Sequence, residues 1–155
     1  MRNLNKAKYS QLSVYEKVFL ISLVVWIFSQ IIRFIALPLV LSVNQGLDAA
    51  GWMYPALLDI AAAILAIPLS LAILKMRGFI VWTLTVVYLT LSIIDHVGAF
   101  ANLILIGEPN AFKQFNDGNN PFIAPIIQTA FDILFFYLLL LPKFRSIFFD
   151  LKVVK

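Results

Sequence analysis

Four apolar stretches, residues 18–43, 52–74, 79–106 and 121–141, constrain this chain more than any other feature of it. Each has roughly the 20 residues an α-helix needs to cross a hydrocarbon core. A soluble domain is about half apolar, whereas 62% of these 155 residues are hydrophobic. In lipid every backbone N–H and C=O must be satisfied within the protein, which leaves helices as the spanning elements for stretches of this length. The expected fold is therefore all-α: an integral membrane protein, an antiparallel bundle of four transmembrane helices. The four stretches and their short links take up residues 1–155 as a single membrane domain. Residues 142–155 would form a tail able to lie at the interface as an amphipathic helix. The first stretch is too long for a signal peptide's apolar core and contains Arg33, so it reads as a retained anchor.

The basic residues set the orientation. The N-terminal segment, the second loop and the C-terminal segment hold 4, 2 and 4 Lys or Arg, while the first and third loops hold none and 1. Positive residues stay on the cytoplasmic side. Both termini are thus expected in the cytoplasm, with a multi-pass placement in a cell (plasma) membrane. Because the basic residues flank helices in short segments, the net charge of +4 is no nucleic-acid footprint. The chain has no cysteine, which excludes disulfides, thiolate metal sites and cysteine nucleophiles.

Against that apolar background a few charged residues stand out, because a charge at membrane depth is costly and needs a reason. Arg33, Asp59, Asp95 and Asp132 lie one in each stretch. Counting from the basic ends at about 1.5 Å per residue puts Arg33 and Asp59 each about 22 Å deep, Asp95 about 24 Å and Asp132 about 14 Å. The first three are expected at one level in the outer half of the bilayer, with Asp132 deeper and lacking an obvious partner. Helical spacing places each charge on a polar stripe. Ser22, Trp26, Ser29, Gln30 and Arg33 share a face of the first helix, with Pro38 expected to kink its outer end. On the second helix Asp59, Ala62, Ala63, Ala66 and Ser70 share a face, whose small residues let a neighbour approach closely. The third helix aligns Tyr88, Ser92, Asp95, Ala99 and Asn102, with His96 about 100° round from Asp95. The fourth aligns Pro125, Gln128, Thr129 and Asp132.

Four stripes facing inward make an interior that is polar in its outer half and apolar below. Arg33 neutralises one carboxylate; three ionised aspartates would leave a surplus of about two negative charges, too costly for low dielectric. Protonated aspartates, a cationic His96 or a bound cation would each restore balance. The candidate pocket is Arg33, Asp59, Asp95, His96, Gln128 and Asp132. No cofactor is expected: one histidine supplies at most one haem ligand, and zinc would lack its usual second histidine.

Gly98-Ala99-Phe100 resembles part of a segment of lipoprotein signal peptidases, which are also four-helix membrane proteins with both termini inside. That family's Asn-x-Ala-Asp is missing around Asp132 and no Asp-Arg pair stands near Asp95. No catalytic role is carried over. Three functions are compatible with the residues. The first is an outward-facing acidic pocket that binds or translocates a proton, a cation or a small ligand, cationic or otherwise. The second is an accessory subunit whose buried charges hold helix pairing, within a homo-oligomer or a larger membrane complex. The third, weakest because of the depth difference, is an intramembrane enzyme using Asp95 and Asp132.

Overall fold

The computed structural model describes residues 9–75, 78–116 and 118–149. The basic residues Arg2, Lys6, Lys8, Arg77, Lys152 and Lys155, and Asp117 of the third loop, lie outside them. Helices are the regular secondary structure of the described residues, with no strand among them. Four helical spans, Val14–Asn44, Ala50–Lys75, Phe79–Leu105 and Ile123–Leu140, are long and apolar enough to cross a membrane. Only 17–39% of each span's most apolar window is buried within the protein. The remaining apolar surface has no protein cover, as expected of helices whose outer faces meet lipid.

The first span starts earlier than its hydropathy implies. Ser13 and Glu16 form a capping box: the Glu16 backbone N–H donates to Ser13 Oγ, and Ser13 N–H donates to Glu16 Oε2 at 2.7 Å. These reciprocal bonds satisfy N–H groups the first turn would otherwise leave open, and α1 runs Val14–Ser29. The helix thus begins at residue 14, four residues before the apolar stretch that starts at residue 18.

The same span is not one continuous α-helix. Gln30–Ala36 is a 3-10 segment, followed by α2 at Leu37–Asn44. Pro38 has no N–H to give the carbonyl of Phe34, and that carbonyl accepts from Leu37 instead, three residues on. The proline thus tightens the turn before it, where a kink at the outer end was expected. At 3.0 residues per turn, Gln30, Arg33 and Ala36 fall into one row, and all three are buried. Ser22 and Ser29, assigned to this face by a 3.6-residue period, are exposed.

The second span is α3, Met53–Lys75, which continues through Pro68. The third is α4, Phe79–Leu105. The third loop contains a short helix, α5, Asn110–Asn116. The fourth span is α6, Ile123–Leu140, followed by α7, Pro142–Arg145. Helix α3 packs against the whole first span and against α4, and α4 packs against α6. Ala63, Ala66 and Ser70 of the expected small-residue stripe are buried in those contacts. The first span reaches α6 through aromatic rings: Trp26 stacks on Phe131 at 4.9 Å between centroids, and Phe19 lies 6.3 Å from Phe135.

A large apolar core occupies the end of the molecule that carries Lys75 and Lys143. Ile147 and Phe148 belong to it, each 1% exposed. Over residues 142–149 the tail is thus drawn into the core, while residues 150–155 of the expected interfacial helix lie outside the described residues. At the opposite end Ala36, Leu39, Trp52 and Ala56 form a second, smaller apolar cluster. The polar residues lie between the two, so the outer half is not polar throughout.

The loops at that opposite end are clipped together. Asp48 accepts from Ser42 Oγ at 2.5 Å, from Asn110 N–H at 2.6 Å and from Ala111 N–H at 3.2 Å. Partial burial pushes its carboxyl up, but these hydrogen bonds and nearby Lys113 outweigh it and hold it below the usual aspartate range. Asn102 Nδ2 adds a bond to Gly51 O at 2.7 Å.

Candidate functional site

Arg33 is the hub. A guanidinium has five N–H donors in a fixed fork, and each of the five directions meets an acceptor. Nε donates to Gln30 Oε1 at 2.9 Å. Nη1 lies 3.3 Å from Asp59 Oδ1 and 3.2 Å from Asp95 Oδ2. Nη2 faces Ser92 Oγ at 2.6 Å and His96 Nε2. Arg33 is 3% exposed, and so complete a set of partners is what a buried cation needs.

That fork fixes the state of His96. Arginine only donates, so His96 Nε2 must be the acceptor, and the ring hydrogen sits on Nδ1. The histidine is neutral in this arrangement, which removes the option of an imidazolium balancing the aspartates. Nδ1 lies 3.4 Å from Asp132 Oδ2, with the Gln128 side chain alongside. His96 was expected to point away from Asp95. Both are 3% exposed, because the buried face of α4 is wide enough to hold them together.

Asp132 has the partners the sequence did not reveal. Trp26 Nε1 donates to Oδ1 at 2.7 Å, and Ser92 Oγ donates to Oδ2 at 2.6 Å. Every polar group facing this carboxylate is a donor, and Asp132 is 0% exposed. Ser92 therefore acts as a relay: it accepts from Arg33 and donates to Asp132. Asp132 lies level with the other charges and not about 10 Å below them. The tail bears on this: Ile147 and Phe148 belong to the core, so the packed bundle continues past residue 141, from which the depth was counted.

Asp59 and Asp95 sit on opposite sides of one Arg33 nitrogen and within hydrogen-bonding reach of each other. No N–H or hydroxyl from the described residues reaches Asp95 Oδ1. Two ionised carboxylates supply no donor, so a hydrogen bond between them needs a proton or an external N–H. The Asp59 side chain is the most open of the group, 28% exposed.

Above this layer lies a cavity of about 300 Å³. Arg33, Asp59, Asp95 and His96 form its floor, and Gln128 its side. Its walls are mainly apolar, including Leu39, Trp52, Pro55, Ala99, Leu103 and Phe112, and Glu108 and Pro109 of the third loop stand at its other end. Asp132 does not line it. A smaller cavity of about 50 Å³ touches Arg33 and Asp95 from the other side, beside Leu58, Leu65 and Leu91.

All six expected residues are thus brought into one neighbourhood, with Asp132 behind the cavity. Sequence reasoning did not include Gln30, Ser92 or Trp26 in the site. Each carries a hydrogen bond to one of the four charges, and only spacing three residues from Arg33 or Asp95 marked the first two. Among the described residues no three His, Cys, Asp or Glu side chains are grouped as a metal ion requires. Comparisons with protein families, curated proteins and solved structures gave no match to this chain.

Proposed function

We propose that this protein is a small polytopic membrane protein whose acidic intramembrane pocket faces outward and binds or translocates a proton, a cation or a small ligand. The reading includes an antiparallel bundle in the plasma membrane with both termini in the cytoplasm, supported by the distribution of Lys and Arg about the spans. One observation carries it: the cavity above Arg33, Asp59 and Asp95 opens among the loops that the basic residues place outside. A pair built only to hold helices together gains nothing from an open cavity above it. With His96 neutral, Arg33 faces two carboxyl groups directly and Asp132 through Ser92, and the layer is short of positive charge. A proton or a cationic group supplied through the cavity corrects this.

The accessory-subunit reading rests on a different observation, that all five Arg33 donors are spent inside the bundle. The enzyme reading built on Asp95 with Asp132 loses support, since Asp132 does not line the cavity.

Cysteine accessibility separates the first two readings in a chain that has no native cysteine. Ala99 lines the cavity and Ile94, close by on α4, is exposed on the lipid side. A membrane-impermeant thiol reagent should label Ala99→Cys from outside and leave Ile94→Cys unlabelled. Equal protection of both would favour the accessory subunit.

A further inference from the structure

We infer that the ligand of this pocket is an organic monoamine with an apolar, ring-sized body, its ammonium seated on the Asp59 carboxylate beside Asp95. This rests on the outward-pocket reading and specifies its occupant. Three observations narrow the chemistry. The floor offers the partly open carboxylate of Asp59, and Asp95 stands beside it with an Oδ1 that receives no donor from the described residues. An ammonium brings several N–H donors to such a floor, whereas Arg33 has none left to offer an anion.

The walls exclude a bare inorganic ion. A hard cation takes six or more oxygens, or keeps its waters, and most of this cavity is lined by carbon: Leu39, Trp52, Leu103, Phe112 and four prolines. Among the described residues no cluster of metal-binding side chains is present. A compact apolar body instead gains from burial against those walls, and Trp52 and Phe112 offer aromatic surface to a ring. The volume of about 300 Å³ lies at the lower end of small-molecule sites, which run from about 300 to 1,000 Å³. A bicyclic amine fits that range and a bulky lipid does not. Glu108 at the far end of the cavity adds negative charge along the way in.

Tryptamine and 3-ethylindole make the test, since they share a ring and differ chiefly in the ammonium. With the full-length protein in mild detergent, tryptamine should raise the melting temperature with concentration and 3-ethylindole should not. Tryptamine should also slow labelling of Ala99→Cys. Asp59→Asn should abolish the tryptamine shift, and Ala99→Phe, which fills the cavity and leaves the charges alone, should do the same if Asp59→Asn does not fold. Equal shifts from both compounds would overturn the inference, leaving an apolar slot. No tryptamine shift in a protein whose Ala99→Cys still reacts from outside would overturn the amine and leave the outward pocket standing. An unreactive Ala99→Cys would overturn both.

Discussion

Asp95 and Asp132 look alike in sequence, yet replacing each by asparagine should have very different consequences. Around Asp132, Trp26 Nε1 and the Ser92 hydroxyl donate at 2.7 and 2.6 Å, and His96 Nδ1 lies 3.4 Å away without a hydrogen bond to it. An amide there must aim its NH₂ at a donor. Trp26 has no acceptor to offer, and His96 cannot switch tautomer while Arg33 occupies Nε2. Turning the NH₂ toward Ser92 strands the hydroxyl hydrogen. One hydrogen bond to a charged group is lost, at about 1.5–3 kcal/mol, together with the carboxylate opposite buried Arg33. Breaking a buried charged network in this way costs about 3–5 kcal/mol. The amide introduced by Asp95→Asn meets a different setting. Its oxygen can still accept from Arg33, and its NH₂ faces the Asp59 carboxyl, an acceptor. The cost should be about 1 kcal/mol, that of an ordinary hydrogen bond. For a protein of this size the Asp132→Asn loss corresponds to a fall in melting temperature of roughly 10 °C, readable by following tryptophan emission on heating in detergent. Asp95→Asn should fall by only a few degrees. Equal losses, or a tolerated Asp132→Asn, would refute the donor-encircled carboxylate.

Other substitutions probe the same layer and its surroundings. Gln30→Leu keeps the bulk but leaves Arg33 Nε without its acceptor, and should cost about 1–3 kcal/mol by the same melting assay. Trp26→Phe keeps a ring against Phe131 and removes one donor from Asp132, which should cost about 1.5–3 kcal/mol. Ser13→Ala breaks the capping box at the start of α1, with about 1 kcal/mol lost and faster amide exchange confined to the first turn. For Asp48 the folded carboxyl is held below its unfolded value. Its contribution is complete above the ordinary aspartate value of about 3.9 and falls away as pH drops through the lowered one. The melting temperature of Asp48→Asn should therefore show a shallower acid decline than the parent below about pH 4.

How much of this was legible in the sequence follows from which assumptions held. The four spans were legible because apolar runs of that length have few alternatives. The shared level of Arg33, Asp59 and Asp95 was legible because each depth is counted from a basic end that lies close to the helix end. Asp132 was misplaced because its depth was counted from residue 141, and hydropathy does not show that Ile147 and Phe148 fold back into the core. Ser22 and Ser29 were assigned inward because a uniform 3.6-residue period was applied to a span that is 3-10 over residues 30–36; Pro38 was the available signal, its effect falling on the turn before it. The Ser13–Glu16 spacing before an apolar run was a readable start signal for α1. The donor ring about Asp132 was not readable, since Trp26 and Ser92 come from two other spans and nothing local joins them.

The most direct measurement of the central claim is the reactivity of the native carboxyls themselves. The protein in sealed liposomes, oriented by its exposed loops, is treated with a water-soluble carbodiimide and a small amine nucleophile, and modified aspartates are located by mass spectrometry. Asp59, the half-open carboxyl on the cavity floor, should be modified from the outside, while Asp132 behind it remains untouched. Loop residues Asp48 and Glu108 report that the reagent is active. Modification of those two with Asp59 unreacted, or of Asp132 ahead of Asp59, would contradict an outward pocket floored by Arg33, Asp59 and Asp95.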